Sequence, residues 1–262
     1  MGLGVAGLGS GLRARSKFAA REGYNFAMPF LLRRLRVGIG LSRHFLGGQR
    51  AFFLKNLSIT TVLDVGANVG QYAKQLRRLG YQGEIHSFEP GVEALTRLRA
   101  AAKNDPKWHI HELALSDHHG QQTLKTWSGS DSVWSSLRSP GEGLVARLGE
   151  PSESTIDATT LEQWMEGRKE IDPAKTLLKI DAQGAEREVL AGAGARLGDF
   201  SIIEFEAAIR AEYKGEATLP ELLSIVEANG FVCCSIMTER FLPQAQGAFD
   251  VDVFVVRDHL VH

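Results

Sequence analysis

The sequence predicts an α/β fold: a doubly wound, mostly parallel sheet of about seven strands carrying a helical, basic N-terminal extension. Three observations predict it. From residue 60 onward, short apolar runs alternate with helical stretches, the pattern of a parallel sheet with crossover helices. The first such run leads into a glycine-containing turn and then a helix. The chain closes on two apolar runs, Phe231–Ile236 and Asp250–Val256, that read as an antiparallel pair. Composition fits this class, because 44% hydrophobic and 23% charged residues describe an ordinary globular chain rather than a disordered or membrane one.

In chain order, residues 1–50 form the extension and residues 51–262 the main domain. The extension carries nine basic side chains and one acid, Glu22, a net of +8, so that within a total of −1 the remainder is at −9. An acidic body gives no support for nucleic-acid binding. Met1–Gly11 is Gly-rich and lacks the basic start of a signal peptide, and Ala6 stands where myristoylation wants Ser or Thr. Apolar runs such as Phe26–Leu32 are too short to span a bilayer. Phe30, Leu31, Leu32, Leu35, Val37 and Ile39, interleaved with Arg33, Arg34 and Arg36, fit an amphipathic helix. Such a helix either packs on the domain, its commoner use, or lies on an anionic membrane surface. The expected location is cytoplasmic, with peripheral membrane contact open to the extension. Adjacent Cys233 and Cys234 offer no ordinary structural disulfide and agree with a reducing compartment.

Within the domain, Thr61–Val65 reads as a buried strand, followed by a helix to about Leu79. Glu84–Phe88 is the second strand and Val92–Lys103 the second helix. His109–Leu115 is the third strand, and Gln121–Trp127 an additional hairpin strand. Ser128–Ser154, rich in Ser and Gly, is a long irregular stretch of the kind that tends to be functional. Thr159 with Glu162, and Thr218 with Glu221, fit capping boxes that open helices. Thr176–Ile180 and Ser201–Phe205 are central strands.

The chemistry concentrates at the carboxyl ends of these strands, where open α/β sheets bind ligands. The first strand runs into Asp64-Val65-Gly66-Ala67-Asn68-Val69-Gly70. A dinucleotide fingerprint would place glycine at position 68, so that a pyrophosphate can approach the backbone. Asn68 stands there instead. S-adenosylmethionine has no phosphate: amides near Gly66 and Gly70 can meet its carboxylate, while Asp64 suits its cationic end. Glu89 ends the second strand 23 residues after Gly66, placed to accept both ribose hydroxyls. Ser116 and Asp117 follow the third strand, where an adenine amino group would be met.

The fourth strand ends in Leu178-Lys179-Ile180-Asp181-Ala182-Gln183-Gly184-Ala185-Glu186. Strand alternation puts Lys179 and Asp181 on one face. The next strand ends in Ile203-Glu204-Phe205-Glu206. Acids at Glu89, Asp181 and Glu204 on one rim repel one another unless a cationic ligand joins them, and a sulfonium cofactor is such a ligand. A divalent metal would also serve, with Asp181 plus Glu204 or Glu206 as oxygen ligands, but no third ligand announces itself, and the metal-free reading is preferred.

Together, Val62–Gly70, Phe88-Glu89-Pro90, Ala114–Asp117, Leu178–Glu186 and Ile203-Glu204 resemble the FkbM-type methyltransferase family over roughly residues 60–256. The Lys-Ile-Asp-x-Gln-Gly-Ala-Glu run is the most specific part. The resemblance implies a class I methyltransferase fold, S-adenosylmethionine as methyl donor, and a hydroxyl acceptor on a sugar, glycan or secondary metabolite. An alcohol must lose its proton around the transition state, which a carboxylate can assist. Asp181 is the first candidate and also a cofactor contact; Glu204 is the second, and Lys179 completes the catalytic set. Ser132, Ser135 and Ser136 are candidates to grip a glycosyl acceptor. Two other readings are an NAD-dependent Rossmann enzyme, against which Asn68 counts, and a non-catalytic S-adenosylmethionine-binding partner protein, against which intact Asp181 and Glu204 count. His109, His111, His118 and His119 have no companion set at metal spacing and read as structural. Trp127, Trp134 and Phe249 read as core or loop anchors, or as walls of an acceptor pocket.

Overall fold

The computed structural model of the protein describes residues 45–237 and 250–260. The expected amphipathic segment Phe30–Ile39 and Phe249 lie outside the described residues. Two strands, β1 (Thr61–Val65) and β7 (Thr176–Ile180), are buried at every position. Their sequences, TVLDV and TLLKI, are continuous rather than alternating because a parallel sheet covered by helices buries both faces. Around them lies a seven-stranded sheet of order β3-β2-β1-β7-β8-β10-β9. Its other members are β2 (Glu84–Phe88), β3 (Trp108–His111), β8 (Ile202–Ala208), β9 (Phe231–Met237) and β10 (Asp250–Arg257). All pairings are parallel except that β10 runs antiparallel to both β8 and β9. This is the doubly wound, mostly parallel seven-stranded sheet expected.

The chain leaves β1 outward through β2 and β3, then returns to the other side of β1 as β7. The switch point of the sheet therefore lies between β1 and β7. Register makes the site possible here. Val65 pairs with both Phe88 and Ile180, and Ile180 with Phe205. The residues that follow, Gly66, Glu89, Asp181 and Glu206, thus emerge on a single rim. Antiparallel β10 begins at the same rim, with Asp252 opposite Glu206.

Helices cover the sheet: α1 (Phe45–Asn56), α2 (Gln71–Arg78), α3 (Val92–Ala102), α5 (Leu161–Met165), α6 (Glu186–Gly192) and α7 (Leu219–Ala228), with α4 (Glu142–Leu148) set apart from them. The main core runs through Leu63, Phe88, Leu178, Ile203, Phe205 and Val253 among others. Thr218 and Glu221 form the capping box of α7. The cap of α5 is Thr160, whose side chain accepts from Gln163 N, not Thr159, because the preceding strand β6 continues through Thr159. The boundary expected at residue 50 falls inside α1. None of the described helices is long and apolar enough to cross a membrane.

Two departures concern the middle of the chain. The expected strand His109–Leu115 splits into β3 and the short β4 (Ala114–Leu115). The latter leaves the main sheet to join β6 (Ser152–Thr159) and β5 (Gly120–Thr126) in a second sheet of order β4-β6-β5. The stretch Ser128–Ser154 is not irregular throughout: a 3-10 helix spans Gly129–Trp134, α4 follows, and β6 begins at Ser152. Ser136 bridges back to Lys125 of β5, which fixes the 132–137 segment over the rim.

Candidate functional site

A cavity of about 460 Å³ opens on this rim. Its first wall is the β1–α2 loop. Gly66 has φ +75, and a Cβ there would lie 1.8 Å from the Asp181 carbonyl oxygen, so only glycine lets the loop lie against the end of β7. Gly66 and Ala67 donate their N–H groups to the Phe88 carbonyl (3.1 and 3.0 Å). Asn68 takes φ +47, the left-handed region that asparagine tolerates better than most side chains. The turn a glycine would ordinarily make is thereby preserved. Gly70, also left-handed, faces inward: a Cβ would meet the Trp108 ring at 2.7 Å. It shapes the loop and is not among the cavity's lining residues.

Glu89 stands across from the loop. Its Oε2 accepts from Asn68 N (2.8 Å) and its Oε1 from Gly91 N (2.7 Å). Burial pushes its carboxyl up to about 7, outweighing those two donors, which act the other way. Phe88, Pro90, Leu115 and Leu124 line the neighbouring apolar part of the cavity. Ser116 and Asp117 come just after this lining. Ser116 is buried, and Asp117 is paired with His118 (2.6 Å). Neither is among the lining residues.

Behind the wall runs a chain of buried polar groups. Trp108 Nε1 donates to Ser87 Oγ (2.9 Å), which donates to Asp64 (3.1 Å). Asp64 is fully buried and lies 3.2 Å from the Lys179 ammonium. That ammonium lies 3.4 Å from Asp181 Oδ2. Burial alone would lower the Lys179 pKa, but the Asp181 and Asp64 charges outweigh it and hold it above the usual lysine range. Asp64 therefore does not line the cavity; it reaches it through Lys179, which does.

Asp181 lines the cavity with its side chain 36% exposed, whereas the Glu204 side chain is 2% exposed. Glu204 accepts from Arg50 Nε (2.8 Å) and from the Tyr72 hydroxyl (2.5 Å). Both its oxygens are engaged below the surface, because on β8 it sits two residues short of the rim. Glu206 occupies the rim itself, pushed well above the usual carboxylate range by burial and then by the charges of Asp181 and Asp250. Ser132, Ser135 and Ser136 line the facing side with Trp134. Trp127 instead packs in a small core with Leu144 and Tyr213.

Several lining residues escaped the sequence reading: Arg50, Tyr72, Gln183, Asp250 and Asp252. For the rim acids the sequence offered only position, since Glu206 follows Glu204 on the same face of β8, which does not say which of the two is engaged below the surface. Arg50 gave no signal, as its partner Glu204 is 154 positions away. The histidines stand elsewhere: His86, His109 and His111 stack along the β2–β3 edge, with Trp164 against His86 and His111. Among the described residues no group of three or more His, Cys, Asp or Glu side chains is arranged to hold a metal ion.

The profile of the methyltransferase FkbM domain matches residues 64–233, more than half of the chain. The 2-O-methyltransferase NoeI of Sinorhizobium fredii (strain NBRC 101917 / NGR234) is 26% identical over 176 residues, covering 63% of this chain and 70% of NoeI. The structure of magnesium protoporphyrin IX methyltransferase (ChlM) from Synechocystis PCC 6803 with bound SAM overlies 80% of this chain and 77% of its own, at 11% identity and a TM-score of 0.42. The ribosomal protein L11 methylase from Lactobacillus delbrueckii subsp. bulgaricus overlies 81% and 77%, at 12% identity and a TM-score of 0.41.

Proposed function

The chain belongs to the FkbM methyltransferase family, and from that premise we propose that this S-adenosylmethionine-dependent methyltransferase methylates a hydroxyl of a sugar, glycan or related secondary metabolite. The observation that carries the reading is Asp181: a partly exposed carboxylate on the cavity wall, between the glycine loop and Ser135-Ser136. A 2-O-methyltransferase among its relatives supports oxygen as the accepting atom. Family membership sets aside the dinucleotide and non-catalytic readings.

The residues present fit the donor. Asn68 Oδ1 is buried without a hydrogen-bond partner among the described residues, beside a carboxylate positioned to receive hydroxyls. The Gly66, Ala67 and Asn68 amides are already donated to Phe88 and Glu89, so Asn68 Oδ1 would accept from the ammonium of the amino-acid end, Glu89 would hold the ribose, and Phe88, Leu115 and Leu124 the adenine. When bound, S-adenosylmethionine supplies a methyl group activated by its sulfonium charge. Asp181 then orients the acceptor hydroxyl and takes its proton, a contribution typically worth about 10²–10⁴ in rate. Lys179 offsets one of the two negative charges on Asp64 and Asp181, which flank it. Glu204, with both oxygens engaged, holds Arg50 and Tyr72 in place and is given no proton to move. Ser132 and Ser135 offer hydroxyls to a polar acceptor, whereas Ser136 is buried with its hydroxyl donated to the Gln183 carbonyl and fixes the wall instead. No metal is required in this scheme, so transfer should persist in chelator.

Titration with S-adenosylmethionine and with NAD, followed by labelled-methyl transfer to hexoses, deoxyhexoses and glycans, tests the proposal. Binding of the sulfonium donor alone and a methyl ether product are expected. Methylation confined to nitrogen or carbon overturns it.

A further inference from the structure

At the rim, one residue links Asp181, Glu206, Tyr213 and Ser136. Gln183 follows β7 in a left-handed conformation, φ +49, ahead of Gly184 at φ +91. A glutamine held there carries backbone strain that its surroundings must offset. Its Nε2 donates to Asp181 Oδ1 (2.8 Å) and to Glu206 Oε2 (2.8 Å). The Asp181 carboxylate only accepts, so the amide turns its N–H side toward the two acids. Its Oε1 then faces the Tyr213 hydroxyl at 3.5 Å, which donates to the Trp134 carbonyl (2.7 Å). Its main-chain carbonyl accepts from the Ser136 hydroxyl (2.6 Å). Beneath, Glu186 Oε1 accepts from Ala182 N (2.8 Å) and Gly184 N (3.3 Å), which fixes the turn without calling on the Gln183 side chain.

We infer that Gln183 is a positioning residue: its amide clamps Asp181 and Glu206 into one oriented pair and ties that pair to the 132–137 segment across the cavity. The clamp leaves Asp181 Oδ2 on the Lys179 side and fixes the direction of the whole carboxylate. It also stabilises two acids of adjacent strands that would otherwise repel. The inference rests on the reading of Asp181 as the group that serves the acceptor hydroxyl.

Gln183→Gly separates this role from turn formation. Glycine adopts the left-handed turn without strain, so the variant should keep the fold and a cooperative melt while lacking the clamp. The test is carboxyl-carbon NMR of the full chain labelled at Asp and Glu, titrated with acid. The groups that face the pair are Lys179 on β7, Glu186 on α6, and Asp250 and Asp252 on β10, all unchanged in the variant. Loss of the Gln183 donor should move the Glu206 midpoint upward by about one pH unit. Turnover with the best sugar found in an acceptor panel should fall about tenfold or more, with S-adenosylmethionine affinity within about threefold of wild type. Glu206 titrating as in the wild type would overturn the clamp. Undiminished transfer in Asp181→Asn would instead overturn the role of Asp181, leaving the titration to judge Gln183 separately.

Discussion

Glu89 ends β2 with its two oxygens on two backbone N–H groups, and burial raises its carboxyl to about 7. The ionised form is the stronger acceptor for ribose hydroxyls. Affinity for S-adenosylmethionine should therefore rise with pH through about 7 and level off above it, where the group is ionised. Glu89→Gln should bind with little dependence on pH in this range. Glu89→Ala should bind about tenfold or more weakly, because hydrogen bonds to a charged group are worth about 1.5–3 kcal/mol each. Calorimetric titration across pH, with circular dichroism to verify the fold, reads all three. Glu89 was legible in the sequence because it combines a strand end, a glycine turn upstream and a following proline. The rank order of the acids was not. Glu204 and Glu206 look alike in sequence, and only the register of β8 on β7 shows that one is engaged below the surface while the other faces the cavity.

At the scale of elements, α1 is the part whose importance sequence could not reveal. Its apolar content is ordinary, but Arg50 inserts its guanidinium between Glu204 of β8 and Gln75 of α2, and packs over the Tyr72 ring. Arg50→Met leaves Glu204 buried without its cation. Removing one member of a buried pair costs about 3–5 kcal/mol, and thermal melts should show a correspondingly large drop. Arg50→Met with a wild-type melting temperature would mean that α1 is not anchored in this way. Strands β1, β7 and β8 were readable from β-branched, leucine and phenylalanine runs broken only by single charged residues. Strand β6 was missed because it is the opposite kind of segment. Ser-Glu-Ser-Thr-Ile-Asp-Ala-Thr leaves its first four positions exposed on a small second sheet, so no apolar run marks it. The 129–134 and 142–148 helices were missed because each is only one or two turns long.

For the whole molecule, the β2–β3 edge sets the response to acid. Burial, and then neighbouring positive charge, lowers His86 and His111 to about 4 from the ordinary 6.5. A histidine whose folded pKa is lowered contributes stability above the unfolded value and loses it as pH falls toward the folded one. Stability from this cluster should thus be intact above pH 6.5 and decline toward pH 4. His111→Gln should flatten that decline in pH-dependent melts. Removal of residues 1–40, which precede both α1 and the family match, should leave S-adenosylmethionine binding intact and the melting transition near that of the full chain. Insolubility would show that the segment belongs to the core. The central claim, methylation of a hydroxyl served by Asp181, has a more direct test. Purified protein is incubated with carbon-13 methyl-labelled S-adenosylmethionine and a panel of sugars and glycans, and the product carbon is identified by NMR for wild type and Asp181→Asn. A methoxyl signal from the wild type is predicted, reduced about a hundredfold or more in rate in Asp181→Asn, with donor affinity unchanged within a few-fold. A labelled carbon bonded to nitrogen or carbon, or an Asp181→Asn variant as fast as wild type, contradicts the account.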